Sequence, residues 1–533
     1  MTSDLTQDPP VAPGASAGSD KLDKSVWIIA GVVVLGSIMS ILDITVVSVA
    51  QRVFQQEFNV NAAEAAWTMT GYTLALAAVI PLTGWAADRF GTKRLYLAAV
   101  FFFAVGSALC ALADSLAALV AFRVLQGIGG GMLMPLGMTI LTRAAGPERV
   151  GRVMAVLGIP MLLGPICGPI LGGWLIDIAS WHWVFLINIP IGVVALVYAW
   201  LVLPKDNPQP SESFDFLGMV LLSPGLALFL YGISSIPGSQ VDHGTWQTRG
   251  VIVPIVIGTI MTVAFVPWAL AKRNKHPLMD LRLFKNKEMT IAVITMSLFA
   301  IAFFGGGLLF PQYFQFVRGE DDLSAGLLLA PQGLGAMITM PIAGMLADKM
   351  GPGKIVLSGI STIVVGMFMF STLDESTSYW FLLGSLFVMG LGMGATMMPT
   401  FSAALATLRD QTIARGSTLM NIVQQIAASI GTALFTVLLT NGLKNQESVA
   451  LGSALEEAGN DQGKVSSILA QFGVSPEQID SVMAKIPGDM AGVFGDTFVV
   501  ATVLCAVCLI PAWFLPKTKA EHGEAGATIH VGH

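Results

Sequence analysis

Charge is scarce in this sequence. Of 533 residues only 12% are Asp, Glu, Lys or Arg, about half of the roughly 25% found in soluble domains. With 54% hydrophobic residues and a mean hydropathy of +0.72, the chain has too little polar surface for a water-soluble globular domain. Cysteine is scarce too. Cys110, Cys167, Cys505 and Cys508 all lie inside apolar runs, which argues against a disulfide framework and leaves the redox compartment open. Cys505-x-x-Cys508 has no His or further Cys nearby, so packing thiols are expected rather than a metal or redox pair. The chain contains no H-E-x-x-H zinc helix and no Walker-type phosphate loop. No enzyme activity, metal or cofactor is therefore expected. The basic residues make no patch of the kind nucleic acid needs, so no nucleic-acid partner is expected either.

Long apolar runs are what the chain has in abundance. Fourteen of them, each able to cross a bilayer core of about 30 Å, fall near 26–50, 64–86, 94–114, 116–142, 152–176, 182–203, 215–237, 250–271, 290–316, 323–346, 354–372, 379–405, 416–441 and 494–515. With the N-terminus inside, 21 of the 28 Lys and Arg fall on the inner side, six fall outside, and one, Arg123, lies within a span. This asymmetry follows the positive-inside rule and places both termini in the cytoplasm. The tail 1–25 is rich in Ser, Pro, Gly and Asp and reads as disordered. It lacks a basic n-region and a cleavage site, so the first span is read as a retained helix. The loop 442–493 falls outside. Its Ser475-Pro476-Glu477-Gln478 pattern predicts one or two short helices, and a solvated cover with no substrate role is the plainer reading of it.

One segment occurs twice. Gly84-Trp-Ala-Ala-Asp88-Arg89-Phe-Gly91 returns 260 residues later as Gly344-Met-Leu-Ala-Asp348-Lys349-Met-Gly351. Each copy ends an apolar run and enters a short basic turn. A second echo, Gly127-Ile-Gly129-Gly-Gly131 against Gly390-Leu-Gly392-Met-Gly394, lies in the fourth and twelfth spans. Duplicated membrane units of this kind usually move solutes. The spacing leaves room for two additional helices. The expected layout is an all-α integral membrane protein: a six-helix bundle at 26–203, two inserted helices and a basic linker at 204–289, a second bundle at 290–515, and a tail at 516–533.

Local signatures along the membrane region carry a resemblance. They are Leu42-Asp43-Ile-Thr45, Trp67-x-x-x-Gly71-Tyr72, Arg123-Val-Leu-Gln126-Gly127, Gly158-x5-Gly164-Pro165-x-x-Gly168-Pro169-x-x-Gly172-Gly173, Trp181-His182-Trp183-Val-Phe185-x-Ile-Asn188, and Pro311-x-Tyr313-x-Gln315. Taken in order, they resemble the major facilitator superfamily, specifically its fourteen-spanner drug/proton antiporter branch. The sequence departs from the family pattern at Ala50-Gln51-Arg52, at His182 and in the thin basic run Pro352-Gly353-Lys354. The resemblance implies the major facilitator fold and alternating access. It implies proton-driven export of hydrophobic or cationic compounds across a bacterial plasma membrane, with a periplasmic adaptor protein as an optional partner. It assigns the Gly/Pro series Gly164, Pro165, Gly168, Pro169, Gly172 and Gly173 to antiporters rather than symporters. Export of an endogenous lipid, peptide or siderophore, and a non-transporting sensor, are the alternatives.

Asp43 and Arg123 are the ionisable residues set deep in the spans of the first bundle. Each lies about seven residues from the outer end of its helix, about 10 Å below the surface at 1.5 Å per residue, so the two can face each other. Charges at such depth are costly and point to function. Asp43 is the expected proton or cation carboxylate and Arg123 its partner; a static ion pair is the alternative. At the inner face, Asp88 and Asp348 are expected to meet helix N-termini, the fifth and eleventh among them. Arg89 and Arg94 are on offer as their partners. The resemblance implies a cytoplasmic gate at Gly84, Asp88, Arg89, Gly91, Arg94, Gly344, Asp348, Lys349 and Gly351. Thr45, Trp67, Tyr72, Gln126, Tyr313, Gln315, Asn421 and Gln424 are expected to line a roomy, mostly apolar cavity for an amphiphilic small molecule. By the glycine echo, the second-half counterparts of Arg123 and Gln126 are Leu386 and Met389, which carry no charge.

Overall fold

The computed structural model describes residues 23–517 apart from 61, 147–148, 207–212, 237, 240–244, 246, 409, 459–460 and 476–477. Most of both expected tails, Pro476, and the side chains of Pro165 and Pro169 lie outside the described residues. The first bundle comprises α1 (Lys24–Val49), α2 (Trp67–Phe90), α3 (Thr92–Cys110), α4 (Leu116–Ala145), α5 (Val150–Ile178) and α6 (Asn188–Val202). The inserted pair is α7 (Phe216–Ser234) and α8 (Arg249–Leu270). The second bundle comprises α9 (Lys287–Gly307), α10 (Ala330–Met350), α11 (Pro352–Ser371), α12 (Tyr379–Leu405), α13 (Asp410–Lys444) and α14 (Ile486–Val507). Among the described residues, thirteen helices are long and apolar enough to cross a membrane. The 29-residue α5, whose start Val150–Pro160 is also apolar, is the fourteenth. No strand occurs among the described residues.

Local chemistry sets many of the helix ends. Ser115 caps α4 by accepting from the Ala118 amide, and Asn286 caps α9 through the Glu288 and Met289 amides. The two copies of the charged turn end on glycines with positive φ, +95° at Gly91 and +87° at Gly351, a backbone state that only glycine enters without strain. The last span starts eight residues before the expected 494, at Ile486. Asp489 hid this turn from a hydropathy reading; in the structure its carboxylate accepts from the Ser448 hydroxyl, so the charge is satisfied at the membrane edge. Among its described residues, the loop before α14 holds three short helices rather than one or two: Glu447–Ala458, Gln462–Phe472 and Ile479–Met483.

The glycine echo is an echo in packing. An added Cβ on Gly127, Gly129 or Gly131 would fall 2.5, 2.5 and 2.8 Å from the carbonyl oxygens of Tyr72, Ala99 and Leu76. On Gly390, Gly392 or Gly394 it would fall 2.0, 2.5 and 2.6 Å from those of Gln332, Gly359 and Ala336. Thus α4 turns its glycines in alternation onto α2 and α3, and α12 does the same onto α10 and α11. Missing side chains let these backbones approach closely, which is how membrane helices associate without a hydrophobic drive.

The bundles meet on the side that carries the two repeated turns, called here the turn face. Gly84 of α2 abuts Ala414 and Thr418 of α13, and Gly344 of α10 abuts Gly151 and Ala155 of α5. The Thr139 and Ser417 hydroxyls lie 2.8 Å apart across the same seam. The inserted pair leans on both bundles. One apolar cluster joins Ile80 of α2, Leu222 and Leu226 of α7, Phe265 of α8, Leu278 of the linker and Ile422 of α13. Asp215 staples this corner, its buried carboxylate accepting from Gly218 N (2.8 Å), Trp268 Nε1 (2.8 Å), Asn274 Nδ2 (2.9 Å) and Leu278 N (3.1 Å).

Candidate functional site

Asp43 and Arg123 meet. The Arg123 guanidinium donates through Nη1 to Asp43 Oδ2, and each residue is only 1% exposed. Four helices complete the surroundings. Gln126 Nε2 on α4 and Asn188 Nδ2 on α6 donate to Asp43 Oδ1 at 2.7 and 3.1 Å. The same two amides also reach Ser107 Oγ on α3, at 3.2 and 3.1 Å. Arg123 also donates through Nη1 to Gln126 Oε1 (2.7 Å) and through Nε to the Thr68 carbonyl of α2 (3.0 Å). Its guanidinium carbon lies 4.3 Å from the centre of the Tyr72 ring, a cation–π contact. Burying two such ions costs several kcal/mol each unless geometry and hydrogen bonds compensate; here hydrogen bonds with α2, α4 and α6 and the Tyr72 ring supply that compensation. The carboxylate accepts from three donors, the Arg123 guanidinium among them, so a proton arriving on it cancels the charge that the guanidinium meets.

Asp43 lies one turn from the glycine series. Thr45, two residues on, donates to the Gly164 carbonyl at 3.1 Å. An added Cβ on Gly164 would fall 2.2 Å from Ile41, on Gly168 2.0 Å from Thr45, and on Gly172 3.2 Å from Val46. Spaced four apart, these glycines form one face of α5, laid against α1. The N-terminal half of α5 faces the other bundle: Gly158 abuts Met340, and Gly151 abuts Asp348. Gly173 has nothing within 4 Å. One helix therefore touches both the ion-pair helix and the opposite bundle.

At the turn face the two aspartates bridge the bundles. Asp348 accepts from the Gly151 and Arg152 amides at 2.8 and 3.3 Å, with Arg152 Nε at 3.4 Å. This seats a carboxylate on the positive N-terminus of α5. Asp88 pairs with Arg143 of α4 at 3.5 Å and Arg415 of α13 at 3.4 Å. That corrects the expected partners. Arg89 is half-buried and Arg94 exposed, and neither side chain meets Asp88; the Arg94 amide donates instead to Asp206. The reason is direction: Arg89 follows Asp88 by one residue and points to another side of α2. The eleventh helix is not the partner of either aspartate; α13 receives Asp88. Lys349 is exposed. Beside the latch lies a cavity of about 490 Å³, lined by Ile29, Asp88, Lys93, Arg143, Asp206 and Arg415 among others.

The residues expected to line one cavity are dispersed. Gln126 and Tyr72 belong to the buried network, with the Tyr72 hydroxyl 3.0 Å from Ser40 Oγ. Thr45 is bonded to α5. Trp67 stacks on Tyr231 of α7, ring centres 5.6 Å apart. Tyr313 is buried among Phe314, Phe370 and Phe494 and donates to the Asp374 carbonyl at 2.8 Å. Gln315 and Gln424 are half-exposed. Asn421 donates to the Ser417 carbonyl (2.8 Å) and touches Met138 Sδ across the seam (3.3 Å). Leu386 and Met389 are fully buried in apolar surroundings, so the second bundle has no counterpart of the ion pair at these positions. Ser107 and Asn188 were missed as site residues. A serine in a helix usually bonds its own backbone and gives no signal. Asn188 did give one, as a lone amide in an apolar run.

Comparison with known proteins agrees with this architecture. Residues 33–432 match the model of the Major Facilitator Superfamily. A Mycobacterium tuberculosis protein named "Multidrug resistance protein B homolog" is 47% identical over 520 residues, covering 96% of this chain and 94% of the relative. The Escherichia coli "Multidrug export protein EmrB" is 31% identical over 452 residues, covering 82% and 87%. Among solved structures, the human organic anion transporter MFSD10 (TETRAN) aligns with a TM-score of 0.57 at 15% identity, covering 91% of this chain and 100% of that one. The proton:xylose symporter XylE aligns at 0.54 and 18% identity, covering 93% and 97%. Those two likenesses speak for the fold alone. With the duplicated bundles, the paired turns and the matched sequence in agreement, the chain belongs to the major facilitator superfamily of multi-pass membrane proteins.

Proposed function

We propose that this protein is a proton-driven antiporter that exports hydrophobic or cationic compounds, of the multidrug efflux type, by alternating access. The buried Asp43–Arg123 pair carries this reading, because it is a chargeable group held where only a change of helix packing can reach it. The turn face is the cytoplasmic side, as the distribution of Lys and Arg favours, and both termini are cytoplasmic in a bacterial plasma membrane. The described conformation is then closed toward the cytoplasm, with Asp88 and Asp348 as its latches. Protonation of Asp43 removes the charge that holds Arg123, which loosens α1 from α4 and α6. Thr45 and the glycine face of α5 pass that movement to α10 and the Asp348 latch. A cationic substrate competes with the proton for the same balance of charge. The names of the 47% and 31% identical relatives support drug export over uptake.

The test is dye and antibiotic flux in proteoliposomes under an imposed pH gradient. Wild type should drive uphill transport, and Asp43→Asn should lose gradient-driven transport by about tenfold or more while still folding. Full proton-driven transport by Asp43→Asn would overturn the proposal.

A further inference from the structure

A notch of about 440 Å³ opens between the start of α7 and the end of α8, on the turn face and away from the ion pair and latches. Its walls differ in chemistry. Phe214, Phe216, Leu217 and Trp268 supply the apolar part of the lining and Arg273 and Lys275 the cationic part, with Ser213, Asp215, Asn274 and His276 beside them. Phe216 is 66% exposed and Leu217 45%, at the first turn of a membrane span. The outer side of α8, including Ile260, Val263 and Leu270, is exposed and apolar along its length, and it runs directly into this basic turn. An acyl chain lying along α8 therefore ends with its headgroup at the notch.

The basic turn is built rather than loose. Asn274, between the two cations, donates its side chain to Asp215, and its carbonyl accepts from Arg282 Nη2 at 2.9 Å. Asp215 also lines the notch, its carboxylate held in this corner by four neutral donors, so the notch sets two cations against one carboxylate. Arg273 and Lys275 are exposed, and neither has an ion-pair partner among the described residues. Two cations held on a fixed turn, beside an apolar wall at the depth of the interface, match a phosphate attached to acyl chains. A free phosphate would use the cations but not the wall.

We propose that this notch binds the headgroup of an anionic phospholipid of the turn-face leaflet, with Arg273 and Lys275 on the phosphate and the Phe216–Trp268 side against the upper acyl chain. The test is titration of the full-length protein, in phosphatidylcholine nanodiscs, with phosphatidylglycerol, read by native mass spectrometry. In Arg273→Gln/Lys275→Gln the apparent Kd should rise about thirty-fold, the equivalent of roughly 1 kcal/mol per basic side chain at an anionic surface. The charge-keeping Arg273→Lys/Lys275→Arg variant should restore most of it. Lys285→Gln/Lys287→Gln, which removes the same charge elsewhere on this face, should stay within about twofold of wild type. Unchanged affinity in the first variant overturns the site. So does equal loss in the Lys285/Lys287 control, which would mean surface charge alone. Displacement of the lipid by equimolar glycerol phosphate would also overturn it, in favour of a free-phosphate site.

Discussion

The two halves of the buried pair differ in what their loss exposes. Arg123→Ala strands a carboxylate with no cation in a dry site, a change that typically costs about 3–5 kcal/mol. We expect that variant to unfold at clearly lower temperature and to purify in reduced yield. Asp43→Asn/Arg123→Gln removes both charges and should recover a large part of the loss, because neighbours in one network are not additive. Thermal unfolding of the single and double variants in detergent checks this; a double variant as unstable as the sum of the singles would deny the coupling. Sequence alone made Asp43 and Arg123 visible, since ionisable groups in apolar runs stand out and equal depth lets them meet. It did not reveal Ser107, whose hydroxyl turns across the bundle to Asn188 and Gln126 instead of back to its own helix. Nor did it show that Tyr313 is committed to an aromatic cluster, because an aromatic on an apolar helix reads the same in a core or a cavity.

For single helices, α5 is the most exposed to test. Gly168→Val places two methyl groups where an ideal Cβ already meets Thr45 at 2.0 Å, so α5 and α1 must separate. Gly173→Ala adds a methyl group where nothing lies within 4 Å. We expect Gly168→Val to reduce efflux at least tenfold in inverted vesicles at equal protein level, and Gly173→Ala to remain within about twofold of wild type. Equal effects from the two would mean that glycine matters in this helix only for its flexibility. The helices themselves were legible because each is a long apolar run, and the two inserted ones followed from the 260-residue spacing. The start of α14 was not. A carboxylate at its first turn hides it from hydropathy, and the Ser448 hydroxyl that accommodates Asp489 comes from a separate helix in the loop.

Across the whole molecule, the bundles are held at the turn face by two carboxylates related by the internal repeat. Hydrogen bonds to charged groups contribute about 1.5–3 kcal/mol each. Removing both charges should therefore shift the population toward separation of the bundles on this face. Arg94 and Lys354 are exposed at equivalent turns of the two bundles. With Arg94→Cys and Lys354→Cys spin-labelled, the distance distribution should lengthen in Asp88→Asn/Asp348→Asn relative to the parent. An unchanged distribution would mean that helix packing alone sets the closed state. The latch positions were readable from the repeat, but the partner Arg415 was not, because it comes from the other half of the chain and only the relative placement of the bundles brings it to Asp88.

The depth of the ion pair has an electrical consequence. A charge that reaches Asp43 from the face opposite the latches has crossed about a third of a core roughly 30 Å thick. Membrane potential then acts on that one step with about 0.8 kcal/mol per 100 mV, a third of the ~2.3 kcal/mol for full passage. Leu386 and Met389 give the voltage nothing to grip at the matching place in the other bundle. The field therefore pulls on one side of a nearly symmetric machine, and potential alone, at equal pH on both sides, should bias which way it faces.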